Sequence, residues 1–182
     1  MIEARQQTFM AEVVERNTRR VTTELDENLH RARCIANYQF GSPLGHLLFS
    51  DDCTVELSKR TGNLRRVLQG SAVLATIRAN DGRIVLTMAG AQNLHQLTPF
   101  PRLRVVVKQE VTPYISEGRS VFAKHVENVD SQLRAGDEAL VVNEKDELLA
   151  VGQAHLSPHE MLDLSRGVAV KTRHSRKTRK EM

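Results

Sequence analysis

Tryptophan is absent from this 182-residue chain, and two Tyr and five Phe are its only aromatic residues. A surface that binds nucleic acid mainly by stacking bases needs several exposed rings, so the composition argues against one. Cysteine is scarce too. Cys34 and Cys53 form no Cys-x-x-Cys pair, which gives neither a disulfide framework nor a zinc knuckle and reads as two reduced, buried thiols. No apolar run approaches the ~20 residues that cross a bilayer. Glu3, Arg5, Gln6, Gln7 and Thr8 stand where a secretory signal would be apolar, so a cytoplasmic protein is expected.

Catalytic signatures are missing as well. Ser42 in Gly41-Ser42-Pro43-Leu44-Gly45 is not a nucleophile elbow, and no Gly-rich phosphate loop with its Lys occurs. The histidines (His30, His46, His95, His125, His155, His159 and His174) are scattered. His155 and His159 have i, i+4 spacing, but an expected strand-to-helix break between them removes the shared face. The expectation is no metal, no cofactor and no catalysis by this chain alone.

What is present is an ordinary globular balance, 40% hydrophobic and 26% charged, in a chain long enough for one or two compact units. The net charge of +4 is modest but unevenly placed. Arg166, Lys171, Arg173, Arg176, Lys177, Arg179 and Lys180 crowd the end, with Glu181 as the only late acid. Local basicity of this kind points to a polyanion, and the large polyanion that suits a folded surface is RNA.

Along the chain, Phe9, Met10, Val13, Val14, Val21, Leu25 and Leu29 have helical spacing, interrupted at Asn17 and Thr18. This narrow stripe needs a surface to lie against, either the chain's own body or a partner subunit. Beyond Cys34, turn formers from Tyr38 to Gly45 lead into a short helical piece at His46 to Phe49. Strands are then expected at 54–57, 64–68, 73–77 and 84–88, joined by tight turns at Thr61-Gly62-Asn63, Gln69-Gly70 and Asn80-Asp81-Gly82. A helix through Ala89 to Leu97 follows, and Pro99 and Pro101 mark a boundary.

The second β-rich unit opens with a strand at 102–108 and a short helix capped by Thr112, with Pro113 first and Gly118 closing it. Further strands are expected at 121–123, 138–143, 148–154 and 167–173. Ser157-Pro158-His159-Glu160 has the order of a capped helix start. The fold class expected is α+β. An N-terminal helical segment (1–33) precedes a small antiparallel-sheet domain (34–100), a second β unit (101–174) and a basic tail (175–182).

Gly118-Arg119-Ser120-Val121-Phe122, Gly136-Asp137-Glu138-Ala139-Leu140-Val141-Val142, Leu149-Ala150-Val151-Gly152 and Arg166-Gly167-Val168-Ala169-Val170 together resemble the PUA domain. That resemblance implies a β-pseudobarrel over 102–173. Tyr38-Gln39-Phe40-Gly41, Ser58-Lys59-Arg60-Thr61-Gly62, Leu64-Arg65, Leu74-Ala75-Thr76-Ile77-Arg78, Asp81-Gly82, Leu86-Thr87 and Gly90-Ala91 are similar to the domain that precedes PUA in archaeal tRNA-guanine transglycosylase and archaeosine synthase. Those archaeal proteins install and convert archaeosine in tRNA. The resemblance therefore implies a tRNA-binding accessory portion in archaeosine formation, with the catalytic barrel on a separate transglycosylase-type chain. Alternatives are a module that docks a catalytic subunit through the N-terminal helix, or a standalone RNA-binding factor in rRNA or tRNA processing. Self-association is left open.

In related PUA domains RNA lies along the short helix, the loop after it and the final strand. Carried onto this chain, that marks Gly118, Arg119, Ser120, Lys124, Arg166, Gly167, Lys171 and Arg173, together with the intervening Val121, Phe122, Val168, Ala169 and Val170. Glycine admits a phosphate close to backbone N–H groups, and Arg and Lys neutralise it. Gly118 equally fits a plain helix cap, while Val121 and Phe122 read as core. Lys59, Arg60 and Arg65, with Arg66, bracket one hairpin turn, either as a second RNA contact or as a solvated charged tip. The tail from Arg176 to Lys180 offers a nonspecific electrostatic grip or simple solubility.

Overall fold

Leu29, Ala32, Ala36 and Phe40 recur at helical spacing and are all buried, which lays one face of a helix (α1, residues 27–40) on the first sheet. The computed structural model describes residues 27–177, so the apolar positions expected from Phe9 to Leu25 and the tail beyond Lys177 lie outside the described residues. α1 runs unbroken across residue 33 and carries Tyr38 to Phe40 as helix, where the sequence reading placed turn formers. The Ala32–Ala36–Phe40 row extends the buried stripe two turns further. Gly41, at φ 99°, ends the helix by donating its N–H to Asn37 O at 2.9 Å.

A short helix (α2, Leu44–Leu48) packs back on α1 at Gly45, where a Cβ would sit 2.1 Å from Arg33 O. Four antiparallel strands follow in sequential order: β1 (Cys53–Leu57), β2 (Leu64–Gln69), β3 (Ala72–Ile77) and β4 (Ile84–Leu86). Their turns use Gly62, Gly70 and Gly82, all at positive φ. The fourth strand stops at Leu86, earlier than expected, because Thr87 caps α3 (Met88–Leu97) by accepting the Gly90 N–H at 3.3 Å.

The second unit is a six-stranded sheet ordered β6-β10-β9-β8-β5-β7 and curled into a pseudobarrel. Its strands are β5 (Arg104–Val107), β6 (Val121–Phe122), β7 (Val126–Val129), β8 (Glu138–Val142), β9 (Leu148–Ala154) and β10 (Val168–Ser175). All neighbours are antiparallel except β5 and β8. β7 was not expected. The helix α4 (Thr112–Ser116) also differs from expectation: Val111 is its N-cap with no side-chain bond, because a 3₁₀ turn over Gln109–Val111 leads straight into it. Thr112 is therefore inside the helix, not its cap. α5 (Pro158–Asp163) has the full capping box, with Ser157 and Glu160 bonding each other's backbone.

β8 and β9 are buried along almost their whole length, which explains why Ala139 to Val142 and Leu148 to Val151 read as unbroken apolar runs. Val105, Val107, Ala139, Val141 and Leu149 fill the barrel, whereas Val106, Leu140, Val142, Leu148 and Val151 join the core of the first unit. Removing those last five side chains from water contributes on the order of 10 kcal/mol before entropic costs.

Polar stitches reinforce the seam. Arg104, only 1% exposed, donates to His95 O at 2.8 Å, Thr98 O at 2.9 Å, Arg102 O at 2.7 Å and Thr98 Oγ1, and pairs with Asp146 at 3.2 Å. It thus satisfies the C-terminal carbonyls of α3 from within the second unit. Gln39 pairs with both backbone groups of Ile84. Arg102 donates to Phe40 O at 2.6 Å.

Candidate nucleic-acid interface

The pairing of β6 with β10 assembles the cationic face. Val168 stands opposite Phe122 and Val170 opposite Val121, so Gly118–Phe122 and Gly167–Lys171 run side by side. Thr172 Oγ1 donates to Arg119 O at 2.9 Å, Ala123 N–H to Gly167 O at 3.0 Å and Lys177 N–H to Ser116 O at 2.9 Å. Gly118 (φ 96°) closes α4 by donating to Ile115 O, and Gly167 (φ 102°) turns the chain into β10. Gly118 therefore does serve as the helix end.

Around this frame Arg119, Lys124, Arg166 and Lys171 are exposed, and their side chains have no hydrogen-bonded or ion-paired partner among the described residues. Ser120 is half-buried beside them. Val121, Ala169 and Val170 are core, and Val168 is half-buried. Phe122 departs from the expected core position and is 46% exposed, because β6 is a two-residue edge strand that turns its second side chain outward.

Arg173 also departs from the RNA-contact picture. Its guanidinium is held internally, 3.1 Å from Glu138 Oε2 and 2.9 Å from Gln153 Oε1. Glu138 in turn accepts the Leu86 N–H of β4 at 3.3 Å, so one buried carboxylate links β10, β8 and the first unit. Burial pushes its pKa up to about 7, opposed by the charge of Arg173, the Leu86 N–H, and the charges of Arg78 and Arg83.

Lys59, Arg60 and Arg65 lie elsewhere, on the β1–β2 hairpin at the edge of the first sheet farther from β9. All three are exposed, with no side-chain partner among the described residues, whereas Arg66 sits 3.6 Å from Glu56. Two cationic patches are thus separated by the shared core. Among the described residues, no group of three or more His, Cys, Asp or Glu is placed to hold a metal, and no helix is long and apolar enough to cross a membrane.

Aromatic placement was missed by the composition argument. Phe40 and Phe49 are buried, but Tyr38, Phe100, Tyr114 and Phe122 all face solvent. Few rings are present, and most of those described are on the surface. For Tyr38 a signal existed: continuing the Ala32–Ala36–Phe40 period places residue 38 on the opposite face of α1.

A pseudobarrel with a glycine-flanked cationic strand pair defines the second unit as a PUA domain, docked on a small α+β domain. Family models agree: the patch-forming domain C2 of tRNA-guanine transglycosylase matches residues 30–101, and the PUA domain matches 103–176. The chain carries the C2 and PUA domains of the archaeal tRNA-guanine transglycosylase type, in that order. It is 48% identical over 153 residues to the tRNA-guanine(15) transglycosylase of Methanothermobacter thermautotrophicus, covering 84% of this chain and 23% of that protein. Against the Pyrococcus furiosus protein of the same name it is 50% identical over 139 residues, 76% of this chain and 23% of the relative. The chain thus spans about a quarter of the length of these relatives. A hypothetical protein from Pyrococcus horikoshii shares the fold at TM-score 0.67 and 23% identity, covering 84% of this chain and 92% of that one. A conserved PUA domain protein from Thermoplasma acidophilum does so at TM-score 0.57 and 20% identity, covering 82% and 89%.

Proposed function

We propose that this chain is a noncatalytic tRNA-binding protein of archaeosine modification, gripping tRNA for a separate transglycosylase-type catalytic chain. The observation that carries the reading is the group of cations without side-chain partners among the described residues, Arg119, Lys124, Arg166 and Lys171, around the glycine-flanked β6–β10 pair. Such a surface neutralises phosphates without reading sequence, which suits a ligand recognised by shape. Its likeness over the C2 and PUA regions to proteins named tRNA-guanine(15) transglycosylase supports tRNA as the RNA.

Filter binding of an archaeal tRNA transcript across a salt series tests this. Lys171→Glu is expected to weaken binding alike for different tRNAs and to make the slope of log K against log salt shallower by about 1. Unchanged affinity and slope in Lys171→Glu and Arg166→Glu would remove the assigned face. Co-purification with a transglycosylase barrel tests the division of labour.

A further inference from the structure

A cleft among the described residues lies at the seam between the two domains. Its volume is about 970 Å³, inside the roughly 300–1,000 Å³ range of small-ligand sites, and it is lined by Tyr38 and Gln39 of α1, by Asp81 and Arg83, and by Gln132, Arg134 and Asp137 of the β7–β8 loop. Its chemistry is not that of a sealed structural gap. The Tyr38 ring is 94% exposed, and the side chains of Gln132 and Arg134 are exposed without partners among the described residues. The other charged groups of the lining are paired: Asp137 sits 3.4 Å from Arg83, which also bonds Gly136 O, and accepts the Arg134 backbone N–H at 2.9 Å, while Asp81 sits 3.4 Å from Arg78 outside the lining. Besides these pairs the lining offers a flat ring, an amide and one guanidinium that has no partner among the described residues.

Gln153 links the edge of the cleft to β10. Gln153 donates to Gly136 O at 3.1 Å on the cleft side and accepts from Arg173 at 2.9 Å on the other. Lys171, Gln153 and Glu138 stand opposite one another across β10, β9 and β8. The cleft rim therefore lies about two strand spacings, roughly 10 Å, from Lys171.

We infer that this cleft receives one unpaired nucleotide of the RNA held on β10, with its base stacked on Tyr38, its edge met by Gln132 and its phosphate by Arg134. The inference rests on the RNA-binding reading above. A ring pairs with any base face, an amide supplies a donor and an acceptor, and a guanidinium matches phosphate. A protein segment seated on Tyr38 is the competing occupant, but it would leave Arg134 without an anion.

The chain has no Trp, so Tyr38→Trp adds a single indole reporter at the cleft. Titration with an archaeal tRNA transcript is expected to quench it at near wild-type affinity. Tyr38→Ala is expected to lose on the order of tenfold in affinity, within the range for one stacked base, with Tyr38→Phe restoring it. Because Tyr38 is solvent-exposed, its truncation leaves the core intact. No quenching and full affinity in Tyr38→Ala, alongside weakened binding in Lys171→Glu, overturns the cleft assignment and leaves the RNA reading standing. No RNA binding by the wild-type chain overturns both. Loss of a co-purifying transglycosylase barrel in Tyr38→Ala with RNA affinity unchanged assigns the cleft to protein and refutes the nucleotide.

Discussion

Glu138 makes stability fall as pH rises through neutrality. Its carboxyl is 3% exposed, and burial raises its pKa from the ordinary 4.5 to about 7 in the folded state. Between those values the native chain binds a proton that the unfolded chain has released. The resulting stabilisation is complete below about pH 4.5 and is lost as pH climbs through about 7. At 1.36 kcal/mol per unit, moving from pH 5 to pH 8 removes about 2 to 3 kcal/mol through this one group. His174, held below its ordinary range by burial and the charge of Arg173, acts in the opposite sense, so the wild-type profile alone does not isolate Glu138. Glu138→Gln does. The amide oxygen keeps an acceptor for the Leu86 N–H and has no charge to desolvate. Urea unfolding of both proteins, followed by circular dichroism at several pH values, is expected to show the variant's profile lacking this drop of about 2 to 3 kcal/mol. Parallel profiles would refute the argument, for they would mean the carboxyl titrates as though solvated.

Other perturbations follow from the same contacts. Arg104→Leu should cost about 3 to 5 kcal/mol in urea unfolding, because it strands the Asp146 carboxylate and the α3 carbonyls that one buried guanidinium satisfies; a loss below about 1 kcal/mol would show those groups rehydrate freely. Gly152→Ala places a Cβ 2.2 Å from Lys171 O on the adjacent strand. It should cost at least about 1 to 3 kcal/mol and weaken tRNA binding as β10 is pushed outward, measured by thermal melting and filter binding.

Much of the fold was legible because its turns are. Gly62, Gly70 and Gly82 sit at the positive-φ positions that end one strand and start the next, and Ser157 with Glu160 announces α5. β7 was invisible, since Val126 and Val129 flank two exposed polar residues and match no alternating pattern. Long-range polar partnerships were hidden too. Arg173 stands in a cationic run and read as a phosphate contact, yet its partner Glu138 is 35 residues away and meets it only once the barrel closes. Arg104 passed without notice inside the expected strand 102–108, because the helix end that it caps is contributed by the other domain. Tyr38 was obscured by reading the chain around it as a turn. The cationic strand pair itself was visible, as glycines and basic residues fell where the resemblance placed them.

The apolar seam has a mechanical corollary. With Val106, Leu140, Val142, Leu148 and Val151 seated in the neighbouring core, no hinge separates the β1–β2 hairpin tip from β10. On the proposed reading, a tRNA touching both patches would meet a caliper of fixed gape, so a molecule of the wrong span would reach one jaw or the other, and discrimination would come from contour before any base is inspected.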